Sequence, residues 1–183
     1  MVTALRLPYA FDPAALRSEL NEIGAREWAP HYNQQYYEGD WSGVALRSVG
    51  GAASQLFPDP ARRRPYADTP LLGRCRYFGE VLRVFECPLE AVRLLRLGAG
   101  SRIREHRDFD LGLRYGVVRV HVPVLTNPGV EFFLGGERVE MAEGESWYLD
   151  LSLPHRVENG GPTDRVHLVI DCVVNDWVKG VIG

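Results

Sequence analysis

The residues most suited to chemistry are four histidines in the second half of this 183-residue chain, which has five in all: His106, His121, His155 and His167. His106 forms a His-x-Asp pair with Asp108, and His155 follows that aspartate by 47 residues. Two imidazoles and one carboxylate on a rigid β scaffold can hold Fe(II) on one face and leave three adjacent coordination positions open. A structural zinc site would instead need a closed tetrahedral shell, usually with thiolates.

Two strand-like segments place an Arg-x-His pair on the face opposite their apolar residues. Valines 118, 120, 122 and 124 share one face of the first segment, so Arg119 and His121 share the other. In the second segment Arg165 and His167 alternate with apolar residues in the same way. If that face is internal, each guanidinium needs an anion, because an unpaired buried charge costs several kcal/mol.

Arg165 follows His155 by ten residues. If His155 ends one strand and Arg165 begins the next antiparallel strand, the guanidinium lies deeper in the same cavity than the metal. A dicarboxylate that chelates iron through one end would place its far carboxylate there, where the fork of an arginine matches it well.

Other assignments of these residues stay open at this point. Asp110 is an alternative to Asp108 as the carboxylate ligand. His121 and His167 are alternatively structural histidines, since ligation is complete without them. Trp147 and Tyr148 are expected to pack on the two sides of a strand.

The elements that must position these side chains fall into two regions. Asp12-Pro13 and Thr69-Pro70 each combine a helix N-cap with proline in the first turn, and they predict helices that extend to Gly24 and to Phe85. A strand is predicted over residues 41–48. From Pro88 onward short β-like runs replace any helical period: residues 91–97, 117–125, 130–134, 138–141, 146–151 and 165–174.

The predicted fold class is therefore mainly β with flanking helices, a double-stranded β-helix (jelly roll, cupin-like). We expect one domain over residues 1–183, with a helical and loop region on the substrate side at 1–88 and a jelly-roll core with the metal site at 89–175. A net charge of −3 gives no basic field for nucleic acid, and no apolar run is long enough to span a bilayer. Three cysteines without a CxxC pair favour neither disulfides nor a thiolate metal site, and we expect a cytoplasmic protein.

A family resemblance rests on the run from "HRDFD" through "VVRVHVPV", "GESWYLD" and "LPHRVENG" to "DRVHLVIDC". Over about residues 90 to 175 the chain resembles the aspartyl/asparaginyl β-hydroxylase-like family of Fe(II)/2-oxoglutarate oxygenases. The resemblance implies His106, Asp108 and His155 as iron ligands and Arg165 on the distal carboxylate of the 2-oxoglutarate cosubstrate. It also implies Arg119 and His121 near the chelating end of 2-oxoglutarate, with O2 as the oxidant.

Two departures from the family pattern qualify that expectation. Some members lack the carboxylate ligand, whereas this chain has Asp108 and so looks closer to bacterial members that hydroxylate free or N-acylated amino acids. Leu95 stands where the animal enzyme offers a serine to the distal carboxylate, which leaves His167 as the candidate that assists Arg165.

The expected function is hydroxylation of an unactivated C–H bond in an amino acid, an amino-acid derivative or an Asp/Asn-type side chain, presented as a small molecule or a peptide. The alternative is a cupin-like metal-binding protein that acts as a small-acid sensor or an isomerase. Trp28, His31 and "NQQYYEGDW" suit a lid or pocket wall. Arg47, Arg62 and Arg64 are candidate partners for a substrate carboxylate.

Overall fold

In the computed structural model, which describes residues 2–59 and 64–183, two antiparallel β-sheets pack face to face. Within the described ranges the strands are β1 (Ala4–Ala10), β2 (Ala29–Pro30), β3 (Tyr37–Glu38), β4 (Trp41–Val49), β5 (Tyr66–Asp68), β6 (Leu89–Leu97), β7 (Arg102–His106), β8 (Val117–Leu125), β9 (Val130–Leu134), β10 (Glu137–Arg138), β11 (Glu145–Leu149), β12 (His155–Asn159) and β13 (Arg165–Val173). The helices are α1 (Pro13–Asn21), α2 (Pro70–Arg74), α3 (Arg76–Leu82) and α4 (Asp176–Ile182).

The larger sheet has the strand order β1-β11-β8-β13-β6-β4-β2, with β5 paired to β4, and the smaller sheet has the order β10-β9-β12-β7-β3. Consecutive strands repeatedly belong to different sheets, which is how a jelly roll closes a core between two layers. The predicted fold class, mainly β with flanking helices, is confirmed. None of the helices in the described residues is long and apolar enough to cross a membrane.

The alternation of side chains predicted for β8 and β13 decides which side chains face the helices and which face the smaller sheet. Four valines of β8 (118, 120, 122 and 124) and Val166, Leu168 and Ile170 of β13 lie on the outer face, packed with buried residues of all four helices. Arg119, His121, Arg165 and His167 therefore point into the space between the sheets. The inner core there is built mainly from aliphatic residues, with Trp41 and Phe132 as its aromatic members.

Several elements differ from the sequence prediction. The region before residue 89 is not only helix and loop, because it contributes β1 and β4 to the larger sheet. The second predicted helix is broken at Cys75 into α2 and α3, and the carboxylate of Glu19 accepts hydrogen bonds from the Tyr77 and Phe78 backbone at the new start. The expected absence of helix after Pro88 was wrong, since α4 begins at an Asn175 N-cap.

The predicted pairing around His155 was also wrong in its strands. His155 does not end a strand but begins β12, and β12 pairs with β7 and β9 in the smaller sheet. Arg165 begins β13 in the larger sheet. The two residues therefore meet across the sandwich, where strands of different layers face each other, and not along one antiparallel pair.

Candidate functional site

The three predicted metal ligands converge at one end of the smaller sheet. His106, the last residue of β7, lies directly opposite His155, the first residue of β12, and their ring centroids are 4.2 Å apart. Asp108 follows β7 after one residue, and its backbone N–H donates to the Leu151 carbonyl. Ligand atoms of the three side chains all lie within 4.8 Å of one another. The cluster contains Asp108 and not Asp110, which is exposed on the following turn.

Backbone carbonyls fix both imidazoles in the orientation that metal binding requires. The His106 Nδ1 lies 2.8 Å from the Arg104 carbonyl, and the His155 Nδ1 lies 3.0 Å from the Leu153 carbonyl. Nδ1 must carry the proton in each contact, so Nε2 is left as a free acceptor. Burial lowers the pKa of His155 to about 4, so this ring stays neutral at physiological pH. Neutral imidazoles and a carboxylate fit a divalent iron centre.

Asp108 is held by a chain of buried ion pairs. Arg119 Nη1 donates to Asp108 Oδ2 at 2.6 Å, and the same guanidinium makes a two-pronged contact with Asp171 through Nε at 2.6 Å and Nη2 at 3.0 Å. Arg93 adds a third bond to Asp171 at 2.7 Å. Oδ1 of Asp108 accepts no hydrogen bond from the described residues, and it lies 3.7 Å from His106 Nε2. The arrangement favours a single carboxylate oxygen on the metal.

Asp171 is the carboxylate that balances the charges of Arg119 and Arg93 in this chain of ion pairs. Burial alone would raise the pKa of its carboxyl, but the charges of Arg119 and Arg93 and the hydrogen bonds from Arg119 outweigh that effect and lower the pKa. Asp171 is 3% exposed and Arg93 is 2% exposed, so neither charge is screened by water. Removing one partner would leave the others uncompensated.

Arg165 is the exception among the buried guanidiniums. It is 3% exposed, and burial lowers its pKa to about 9 with no contribution from a carboxylate. Its Nη2 donates to His167 Nδ1 at 2.8 Å, and its Nε has no hydrogen-bond partner among the described residues. The contact with His167 agrees with the sequence-based candidate for the group beside Arg165. Within the part of the chain that the structure describes, Arg165 is therefore a buried cation without an anionic partner.

His121 and His167, which point into the sandwich, are two neutral imidazoles linked to each other beside Arg165. Burial, followed by the charge of Arg165, holds the pKa values of both His121 and His167 well below the usual range. His121 Nδ1 lies 3.2 Å from His167 Nδ1. Since His167 Nδ1 accepts from Arg165, His121 Nδ1 must be the donor, and its Nε2 is left as a buried acceptor without a partner in the described chain.

An internal cavity joins the metal cluster to Arg165. It has a volume of about 60 Å³, and its walls include His106, Asp108, His155, Arg119, His121 and Arg165. Toward solvent it meets a mouth of about 330 Å³, which Asp108, Arg119, Tyr32 and Asn33 also border. The mouth carries exposed rings of Tyr32, Phe57 and Phe109. The structure thus provides one connected space from the surface to the unpaired guanidinium.

Of the other residues that the sequence singled out, some line the cavity and others only pack within the fold. His31 is buried against Trp41 in the cavity wall, and Tyr36 stacks on His106 at the mouth. Trp28 does not reach the site, because its ring packs beneath the guanidinium of Arg96. Tyr148 is 1% exposed in the outer core, as expected for a packing residue, and Trp147 packs partly buried against the inner core.

The three predicted arginine partners for a substrate carboxylate do not line the central cavity where they are described. Arg47 binds Asp68 and the Tyr66 and Leu89 carbonyls. Arg64 pairs with Asp59. Arg62 lies outside the described residues.

Sequence reasoning missed Arg93 and Asp171, although the signal was present. Asp171 has the same strand parity as Arg165 and His167, and Arg93 has the parity of Leu95 in β6. Extending the alternation by one step along each strand would have placed both charges inside the sandwich. Two charged residues within apolar strand runs, on the inward parity, predict an internal ion pair.

Comparisons with known proteins agree with this geometry. The sequence model of the aspartyl/asparaginyl beta-hydroxylase family matches residues 11–174. The chain is 29% identical over 163 residues to the L-proline cis-4-hydroxylase of Rhizobium meliloti (strain 1021), with 88% of this chain and 57% of that protein covered. The chain therefore spans little more than half the length of this relative.

Two solved structures share the fold at low sequence identity. A 2OG-Fe(II) oxygenase family oxidoreductase from Burkholderia pseudomallei aligns with a TM-score of 0.60 and 16% identity over 93% of this chain and 85% of that chain. A prolyl-4-hydroxylase from Pseudomonas putida aligns with a TM-score of 0.56 and 15% identity over 94% of this chain and 92% of that chain.

The ion-pair chain makes a stability prediction. Asp171→Asn should lower the free energy of unfolding by about 3–5 kcal/mol at neutral pH, because it leaves the buried guanidinium of Arg93 without a carboxylate and Arg119 with Asp108 alone. The lowered pKa of Asp171 means that its contribution is present above the unfolded value of about 3.9 and is lost as the pH falls through the folded value. The variant should therefore show a weaker loss of stability below about pH 4. Urea unfolding of the metal-free protein across pH measures both effects.

Asp68→Asn is the matched control for this measurement. Asp68 also pairs with an arginine, Arg47, but its side chain is 62% exposed, so its removal should change stability by less than about 1 kcal/mol. Equal unfolding midpoints for Asp171→Asn and the wild type would show that the buried pair is not a structural requirement.

Proposed function

Because the chain belongs to the aspartyl/asparaginyl β-hydroxylase family, we propose that it is an Fe(II)- and 2-oxoglutarate-dependent oxygenase that hydroxylates an unactivated C–H bond of an amino-acid-like substrate. The single observation that carries the proposal is Arg165, a buried guanidinium with no carboxylate partner, on the same cavity as two histidines and an aspartate that can hold a metal. An anion that reaches from this metal position to Arg165 would bind the metal with one end and pair with the guanidinium with the other.

His106, Asp108 and His155 would hold the iron in this proposal, and the two Nε2 atoms and the single carboxylate oxygen that they present suit that role. When bound, Fe(II) supplies the activation of O2 that is coupled to decarboxylation of 2-oxoglutarate. In the balanced reaction 2-oxoglutarate, O2 and R–H give succinate, CO2 and R–OH. The chain itself contributes orientation of the reactants and exclusion of water.

Arg165 would bind the far carboxylate of 2-oxoglutarate. Its free Nε and its remaining guanidinium N–H groups can donate to two carboxylate oxygens, and the buried site makes those bonds strong. His167 accepts from Nη2 and so keeps the fork in one orientation. In this proposal His121 and Arg119, which line the same cavity, flank the opposite, metal-proximal end.

The mouth of the cavity supports an amino-acid-like substrate, either a small molecule or a residue of a peptide. Arg107 and Asp110 both border it, and a basic and an acidic side chain at one opening suit a zwitterion. The relative from Rhizobium meliloti is an L-proline cis-4-hydroxylase, which makes proline the first candidate. All three cysteines are free, which favours a reducing compartment, and we propose the cytoplasm.

Ligand variants test the metal assignment. Ala at His155 or Asp108 should reduce 2-oxoglutarate-dependent succinate formation below detection and weaken Co(II) binding, because each removes one of three donor atoms. Asp110→Asn is the matched control, since it changes a neighbouring exposed carboxylate outside the cluster and asparagine tolerates the positive φ of 66° found there. Co(II) affinity measured by absorption titration should be unchanged by Asp110→Asn. Succinate formation by His155→Ala would contradict the assignment.

Arg165→Lys tests the cosubstrate assignment. A lysine is a point charge without the two-pronged geometry, so the KM for 2-oxoglutarate should rise about tenfold or more while kcat changes less. Arg96→Lys is the control, because Arg96 points away from the inner core toward Asp40 and Asp164 and should leave the KM unchanged. An unchanged KM in Arg165→Lys would remove the basis of the proposal.

A substrate panel tests the reaction class. Purified protein with Fe(II), ascorbate and 2-oxoglutarate should form succinate faster when the correct amino acid or N-acyl amino acid is added, with a product 16 mass units heavier that retains the substrate carbon skeleton. Mass spectrometry of the panel, starting with L-proline, measures this. Metal binding with no succinate from any member would favour the cupin-like sensor or isomerase instead.

A further inference from the structure

The fold brings the thiols of Cys87 and Cys172 together on the outer face of the larger sheet, although the two residues lie 85 positions apart in the sequence. Cys172 of β13 pairs directly with Leu89 of β6, and Cys87 precedes Leu89 by two residues. The Val173 N–H donates to the Pro88 carbonyl, so the antiparallel pairing continues as far as the residue next to Cys87. Strand pairing therefore sets the two cysteines side by side.

The two side chains are in direct contact through a hydrogen bond between the thiols. The backbone bends at Cys87, just before β6 begins, and the Cys87 N–H donates to the Phe85 carbonyl. Cys87 is thus not held in the regular strand, and its side chain turns toward Cys172. Within the described residues, the third cysteine, Cys75, lies apart from this contact in the helical layer.

The two thiols differ in acidity because one donates to the other. The hydrogen bond from Cys172 lowers the pKa of the Cys87 thiol, and burial acts against that effect. The same hydrogen bond, followed by burial, raises the pKa of the Cys172 thiol well above its usual value. Cys87 is therefore the thiol that ionises first, and the thiolate is the form that reacts with oxidants.

The two thiols also differ in access. Cys87 is half-buried and lines a surface cavity of about 480 Å³, together with Leu82 and Arg83. Cys172 is 1% exposed. A small oxidant in solution can reach Cys87, whereas Cys172 can react only with a group already formed on its neighbour. An accessible, acidic thiol beside a shielded one is the arrangement of an attacking and a resolving cysteine.

We propose that Cys87 and Cys172 are a peroxide-sensitive thiol pair that forms a reversible disulfide. The Cys87 thiolate attacks one oxygen of hydrogen peroxide, the O–O bond breaks, and the other oxygen leaves as hydroxide and takes up a proton. The Cys172 sulfur then displaces hydroxide from the resulting sulfenic acid, and the Cys172 proton leaves with it as water. In total, two thiols and one peroxide give one disulfide and two waters.

The modification does not depend on the proposed function, and it suits a reducing compartment, where disulfides are transient and redox-sensing. Its position links it to the ion pairs inside the sandwich. Asp171, which binds Arg93 and Arg119, immediately precedes Cys172 on β13 and points to the opposite face. The disulfide would tie the start of β6 to the end of β13 that carries this carboxylate.

Oxidation of the full chain tests the pair without any substitution. The reduced protein is treated with hydrogen peroxide in the presence of a chelator, the remaining thiols are alkylated, and unreduced peptides are mapped by mass spectrometry. We expect a linked pair of peptides that contains Cys87 and Cys172 and is lighter than the separate peptides by two hydrogen atoms. Dithiothreitol should restore both thiols. Cys75 is 3% exposed and burial raises its pKa to about 11, so its thiol should be lost about tenfold more slowly or less.

Three variants separate the two chemical steps. In Cys172→Ala the oxidation of Cys87 should stop at the sulfenic acid, which dimedone traps, and in Cys87→Ala the shielded Cys172 should remain a thiol. Cys75→Ala is the matched control and should form the disulfide at the wild-type rate. Disulfides that join different chains, or equal rates of loss for Cys75 and Cys87, would overturn the proposal. So would a wild-type protein that keeps all three thiols, a result that no folding defect in a variant can obscure.

Discussion

The interior of this sandwich is organised by an excess of buried positive charge. Three guanidiniums, those of Arg93, Arg119 and Arg165, lie between the sheets or at their inner edge. Asp171 binds the first two, and Asp108 takes the remaining prong of Arg119. A buried charge without a partner costs several kcal/mol, and among the described residues Arg165 has no carboxylate partner, which is why the proposed function assigns an external anion to it. Structure and function here follow from the same electrostatic requirement.

Strand pairing brings the three candidate metal ligands together, and the packing of the two sheets brings them close to Arg165. His106 and His155 are 49 positions apart in sequence and become cross-strand neighbours through one antiparallel pair, β7 with β12. Arg165 belongs to the other sheet and faces them across the core. The two histidines and Arg165 lie in different sheets, so the site depends on the packing between the sheets around Phe132. The centroid of the Phe132 ring lies 6.5 Å from that of His155 and 5.9 Å from the Arg165 Cζ atom.

Alternation along strands was the part of the site that the sequence could predict, since period two is a local property. It placed Arg119, His121, Arg165 and His167 on one face correctly. The pairing partners could not be predicted in this way. β7 and β12 are short and polar and lack the apolar pattern by which a strand is recognised, so neither was predicted, and His155 was expected to end a strand instead of beginning β12. The break at Cys75 depends on Glu19 of another helix, a tertiary contact that no local pattern contains.

The length of β13 explains why an arginine, and not a shorter cation, stands at its start. Asp171 lies near the mouth at one end of the strand, and Arg165 begins the other, six positions away, which is roughly 20 Å along an extended backbone. In the proposed function a five-carbon diacid joins the metal position to the cation, and it is too short to span that distance. The guanidinium must extend inward from the strand end to meet it, as its place in the central cavity wall shows. The side chain is 3% exposed, so the same inward reach toward the cluster also removes its charge from water.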